Sequence, residues 1–149
     1  MPSQVPPIRL FHRELAKHFR FLADEFGFER AMDYQIEPRA MFQSEDLDLW
    51  IGHENGRYDA VFCLKRNVPW LLPYESKLFR VDDIARLLSE QEFRRNQELR
   101  SAGGMSSEQE CLAMFEYVAG VLKGHCEPIL RGDYQILQQV FARRKTVVQ

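Results

Sequence analysis

The stretch MFQSEDLDLWIGHENGRYDAVFCLKR, Met41 to Arg66, decides the fold. It pivots on Asn55-Gly56, flanked by alternating apolar residues. A two-residue type I′ turn needs positive φ at both central positions, which Asn and Gly tolerate best. With Asn55 and Gly56 as the loop, Glu54 faces Arg57, His53 faces Tyr58, Gly52 faces Asp59, Ile51 faces Ala60, Trp50 faces Val61, Leu49 faces Phe62 and Asp48 faces Cys63. Because side chains alternate along a strand, one side of the hairpin carries Leu47, Leu49, Ile51, Ala60, Phe62 and Leu64, a core face. The other carries Asp48, Trp50, Gly52, Asp59, Val61 and Cys63.

Working outward, Ser44-Glu45-Asp46 is expected to turn between this hairpin and a strand beginning at Ala40. Ala31 to Glu37 reads as a first, edge strand containing Tyr34 and Ile36 and stopped by Pro38. Upstream, Phe11, Leu15, Phe19, Leu22 and Phe26 recur at helical spacing, so Ile8 to Phe26 is expected to be an amphipathic helix closed by Gly27. Met1 to Pro7 is a proline-rich leader expected to be extended or disordered.

Downstream, NVPWLLPY (Asn67–Tyr74) combines two prolines with strongly apolar side chains. It is either a strap across one end of the core or an exposed aromatic lip with Trp70 as a partner contact. Asp82 or Asp83 can cap a helix running through Ile84, Leu87 and Leu88 to about Leu99, and SAGGMS (Ser101–Ser106) reads as a mobile loop. Ser107 with Glu110 fits a capping box for a second long helix through Leu112, Phe115, Val118, Ala119 and Leu122. Pro128 suits a short helix, Gly132 ends it, and Asp133 caps a last helix through Ile136, Leu137, Val140 and Phe141. The expectation is one α+β domain over residues 8–149: an N-terminal helix, an antiparallel meander of three to four strands, and a helical C-terminal half.

The 20 basic and 22 acidic residues give a formal charge of −2, which makes no overall case for nucleic acid or an anionic membrane. Between Asp24 and Asp59, however, ten acids stand against three bases, a net of −7. That stretch is either a solvated sheet edge or a surface for a basic partner. The three cysteines Cys63, Cys111 and Cys126 have no CxxC or ligand spacing, which fits reduced thiols and a cytoplasmic location. No apolar run approaches the roughly 18 residues of a membrane helix, and MPSQVPP lacks the features of a secretory signal.

Chemical motifs are sparse. Cys63 and His53 fall on opposite faces of the hairpin, so they make no dyad. His125 and Cys126 are adjacent and diverge, and His12 and His18 lie on different faces of their helix. Asp46-x-Asp48 aligns two carboxylates, for which solvation is the simpler account. No phosphate loop, metal pattern or cofactor motif is present. What remains is a binding surface: Trp50, Val61 and Cys63 with Asp48 and Asp59 are either covered by the later helices or form an aromatic patch with a charged border.

Three segments, FLADEFGFE (Phe21–Glu29), SEDLDLWI (Ser44–Ile51) and LRGDYQIL (Leu130–Leu137), together resemble small bacterial proteins of uncharacterised type, some of them immunity proteins beside polymorphic toxins. The resemblance implies a non-enzymatic cytoplasmic protein that masks a toxin's active site or another essential surface. The acidic stretch would suit a basic toxin domain such as a nuclease. A secretion chaperone or adaptor, a class that dimerises readily, and a small hydrolase with an unrecognised site are the alternatives. The candidate partner-binding residues are Asp48, Trp50, Asp59, Val61 and Trp70.

Overall fold

The computed structural model describes residues 4–31 and 36–148, the side chains of 146–148 apart. The chain is α+β. Helix α1 (Ile8–Phe26) leads into five antiparallel strands, β1 (Glu29–Ala31), β2 (Arg39–Gln43), β3 (Leu47–Glu54), β4 (Arg57–Leu64) and β5 (Leu78–Arg80). Helices α2 (Val81–Leu88), α3 (Glu90–Ala102), α4 (Ser107–His125), α5 (Glu127–Leu130) and α6 (Gln135–Val148) follow. The strands lie in sequence order, each paired with the next.

The central hairpin has the register the turn dictates, from Leu47 opposite Leu64 to Glu54 opposite Arg57. Asn55 (φ 53°) and Gly56 (φ 78°) supply the two positive dihedrals. Period-2 alternation then sorts the sheet into two faces. Ala40, Phe42, Leu47, Leu49, Ile51, His53, Tyr58, Ala60, Phe62, Leu64 and Phe79 are buried, while no strand residue pointing the other way is. The helices therefore pack on the Leu49/Phe62 face. Phe19 of α1 meets Phe42 of β2 at 6.2 Å and Phe115 of α4 edge-on at 5.5 Å. Phe11 makes a second edge contact with Phe115 at 5.1 Å. Gly27, in the left-handed region at φ 72°, closes α1, and Phe28 folds back with its N–H on the Leu22 carbonyl at 3.0 Å.

The three or four expected strands are five, because the short strand Leu78–Arg80 pairs with Val61–Cys63 along the outer side of the hairpin. Among the described residues the first strand is Glu29–Ala31, and Ile36 and Glu37, the last residues of the expected Ala31–Glu37 strand, are not in a strand. Tyr34 lies outside the described residues, while Ile36-Glu37-Pro38 turns into β2 with Ile36 exposed. His12 on α1 ties this turn down: its Nε2 is 2.7 Å from the Glu37 carbonyl and its Nδ1 meets Arg30 at 2.5 Å. Of the leader, Gln4–Pro7 has no regular structure, and Pro6 is buried. The Ser44–Asp46 turn is as expected, with the Ser44 hydroxyl donating to the Leu47 carbonyl at 2.7 Å.

Beyond the sheet, the single helix expected from Asp82 to Leu99 is two helices broken at Ser89, whose φ of −151° leaves the helical region. Asp82 and Asp83 do not cap α2. They sit in its first turn, where a negative charge suits the positive helix end. The capping box of α4 is one residue earlier than Ser107/Glu110: Ser106 Oγ accepts from Gln109 N at 3.2 Å, and Gln109 Oε1 accepts from Ser106 N at 2.9 Å. Gly132 (φ 96°) ends the α5 turn, and Asp133 accepts from Gln135 N at 3.1 Å to start α6.

Residues 67–74 form a strap. Val68 and Leu71 are buried, and half-buried Trp70 packs on Phe79 at 6.0 Å and Phe141 at 5.7 Å. Glu75 fastens it, accepting from Leu72 N at 3.0 Å and from Lys145 Nζ of α6 at 2.7 Å.

Gly52 is where β2 presses closest on β3. A Cβ there would lie 2.8 Å from Arg39 Cβ and 3.1 Å from the Pro38 carbonyl oxygen. Neither neighbour is the free end of a flexible side chain, so Gly52→Ala must push β2 outward. We expect it to cost about 1–3 kcal/mol in urea unfolding; an unchanged midpoint would show that β2 yields freely.

Candidate functional site

Away from the helices, the sheet presents two cross-strand rows defined by register. One runs Ala31, Met41, Trp50, Val61, Arg80; the other runs Glu29, Gln43, Asp48, Cys63, Leu78. Met41, Trp50, Val61 and Cys63 are partly exposed, and Leu78 is 50% exposed. A hollow of about 330 Å3 lies over this face, lined by Arg39, Trp50, Gly52, Asp59, Val61 and Leu78 among others. Asp48, Trp50, Asp59 and Val61 thus share one surface. Trp70 does not belong to it, because its ring packs on Phe79, which points to the helix side.

The acids here are compensated. Asp59 pairs with Arg80 at 3.2 Å. Asp48 lies 3.1 Å from Lys65 Nζ, an ion pair whose geometry falls outside a hydrogen bond. Arg39 bridges Glu37 at 2.7 Å and Glu54 at 2.6 Å, and Arg66 meets Asp46 at 3.5 Å. Among the described strand residues on this face, Glu29, Asp48, Glu54 and Asp59 stand against Arg39 and Arg80, while Arg57 at the hairpin tip lines a separate cleft beside the helices. The −7 of the linear stretch therefore becomes a nearly balanced surface, since Lys65, Arg66 and Arg80 come from beyond it.

Met41 and Leu78 are the contributors that a strand-by-strand reading misses. Met41 could have been found by continuing the alternation of Trp50 across the sheet. Leu78 could not, as its strand spans three residues.

The reactive groups are dispersed. His53 is buried on the core side, edge-on to Tyr58 at 4.8 Å, on the face opposite Cys63. Burial, with Asp48 adding to it, raises the Cys63 pKa, the opposite of what a nucleophilic thiol needs. Burial pushes Cys111 up to about 11, with Tyr58 opposing, and Cys126 up to about 12. His125 lies 3.7 Å from Glu92, and His18 is 2.9 Å from the Glu14 carbonyl. Among the described residues, no group of three or more His, Cys, Asp or Glu is arranged to hold a metal ion, and no helix is long and apolar enough to cross a membrane.

No family model, curated protein or solved structure matches this chain.

The thiol environments give a direct check. With iodoacetamide near neutral pH, Cys63 should label slowly and faster as pH rises, while Cys111 and Cys126 label only in denaturant, read by mass spectrometry. Rapid labelling of Cys63 at neutral pH would show an activated thiolate.

Proposed function

We propose that this is a non-enzymatic binding protein that docks a protein partner on the open face of its sheet, as an immunity protein of the cytoplasm does when it neutralises a cognate toxin. The observation that carries the reading is one-sided packing. The helices cover the Leu49/Phe62 face, leaving the row Met41, Trp50 and Val61 partly exposed, with Leu78 beside it in the neighbouring row. An apolar centre with an aromatic residue, bordered by charges of both signs, is the composition of a protein interface.

The ion pairs alter the kind of partner this surface suits. With Asp59 held by Arg80 and Asp48 by Lys65, the face does not offer the strong negative field that would draw in a basic toxin. Selection by shape and apolar contact fits it better, with the paired charges setting orientation at the rim. Burial and the nearby Asp48 raise the Cys63 pKa, which does not favour a hydrolase that uses this thiol as its nucleophile.

The test is complex formation with the product of the neighbouring gene. Size exclusion at micromolar concentrations should give a stable complex. Leu78→Glu should weaken it by about tenfold or more, which is about 1.4 kcal/mol, with chain stability changed by no more than about 0.5 kcal/mol, as befits a surface site. Trp50→Ala should weaken it as well. Wild-type binding by both variants would remove the open face as the docking surface.

A further inference from the structure

A second concavity lies where the hairpin tip meets the helices, distinct from the open sheet face. It has a volume of about 780 Å3, within the range of small-molecule pockets, and its walls come from the tip of β3–β4, from α2 and from α3. Arg57 at the start of β4, Arg80 of β5, Arg86 of α2 and Arg100 near the end of α3 all line it. Four guanidiniums from four separate elements are not the by-product of one polar helix face.

Their commitments differ. Arg80 is taken, bound to Asp59 at 3.2 Å and Asp82 at 3.5 Å. Among the described residues, Arg57, Arg86 and Arg100 have no carboxylate within ion-pairing distance. Arg86 lies over the Phe93 ring at 5.2 Å, and Arg100 is near enough to Tyr58 to act on its phenol. The acids on the walls are Asp82, Asp83 and Glu110. Asp82 is occupied by Arg80 and by the Tyr117 hydroxyl, which donates to it at 2.8 Å. Asp83 lies in the field of Arg80 and Arg144. Three uncommitted arginines thus face two acids, and the cleft is left net positive.

Tyr58, 2% exposed, forms part of the cleft floor, with its hydroxyl buried beside the Cys111 thiol.

We infer that this cleft binds the phosphate group of a small molecule, held by Arg57, Arg86 and Arg100. Guanidinium forks match phosphate oxygens two at a time, whereas a single carboxylate would leave most of these donors unused. Phe93, already faced by Arg86, adds an apolar wall for the remainder of the ligand.

Calorimetric titration of the full chain with ADP and with inorganic pyrophosphate tests this. Saturable binding of either probe, weaker at higher salt, is expected. Arg57→Gln and Arg100→Gln should each lower affinity by about tenfold while leaving the unfolding midpoint in place. Arg94→Gln, an exposed arginine paired with Glu90 outside the cleft, should bind as the parent does. Equal binding of both probes would assign recognition to the phosphates alone, and tighter binding of ADP would add a role for the Phe93 wall; either supports the site. Failure of both probes at millimolar concentration would overturn it, as would binding unaffected by Arg57→Gln and Arg100→Gln. Preference for a polyglutamate peptide over both phosphate probes would overturn it in favour of a protein acid. Leu78→Glu should leave phosphate binding unchanged, which separates this site from the sheet-face interface.

Discussion

The left-handed pair Asn55-Gly56 fixes the registration of β3 on β4, and the faces of the whole sheet follow from it. Side chains repeat every two residues, so sliding one strand by a single position would exchange its faces. On β4 that would turn Ala60, Phe62 and Leu64 outward and bring Asp59, Val61 and Cys63 in. Losing burial of Phe62 and Leu64 alone would cost roughly 3–6 kcal/mol, and burying the Asp59 carboxylate beneath the helices would add several more. Against a typical total stability of about 5–15 kcal/mol, a slipped register cannot compete. The open sheet face therefore inherits its composition from one turn.

Once the faces are fixed, the order of elements accounts for the one-sided packing. Helix α1 precedes the meander and the five later helices follow it, so the strands run consecutively without a helical crossover. Both helical groups then compete for the one apolar face. Rings from α1 and α4 meet there, Phe11 and Phe19 against Phe115, while α6 reaches the outer strand through Arg144, which lies 4.5 Å over Phe79 and donates to the Leu78 carbonyl. That last bond also occupies a carbonyl on the sheet's outer strand, where free backbone groups would otherwise invite strand addition.

Much of this was legible in the residue pattern, and the parts that were not have identifiable reasons. The hairpin, α1 and the Gly132-Asp133 joint carry strong local signals: left-handed residues, helical spacing and a capping side chain. Strand β5 does not, since Leu78–Arg80 is too short to show alternation and is defined by its partner Val61–Cys63. The break at Ser89 has neither glycine nor proline to announce it. The capping box slipped because Ser106/Gln109 and Ser107/Glu110 fit the same pattern, and only the backbone geometry separates them. The acidic run misled for a similar reason, as Asp48 and Asp59 are compensated by Lys65 and Arg80, which are distant in sequence or lie outside the run. The arginine cleft was invisible altogether, because residues 57, 80, 86 and 100 share no spacing and meet only in the folded chain.

Arg80 also explains how the open face and the cleft can lie side by side and remain separate. Its guanidinium joins Asp59 of the sheet face to Asp82 of α2, and Asp82 in turn accepts from Tyr117 of α4, so β4, β5, α2 and α4 are linked by one polar chain. Burial by itself would lower the Arg80 pKa, but Asp59 and Asp82 outweigh it and hold the group above its usual value, keeping the bridge charged throughout the physiological range. Burial and the Asp82 carboxylate likewise raise the Tyr117 pKa, so its hydroxyl stays protonated and able to donate. For partly exposed groups such pairs contribute only about 1 kcal/mol each. Their larger effect is to commit charges: Asp59 is withdrawn from the sheet face and Arg80 from the cleft. Apolar contact is then left to dominate on one side of the bridge, and the uncommitted guanidiniums of Arg57, Arg86 and Arg100 on the other.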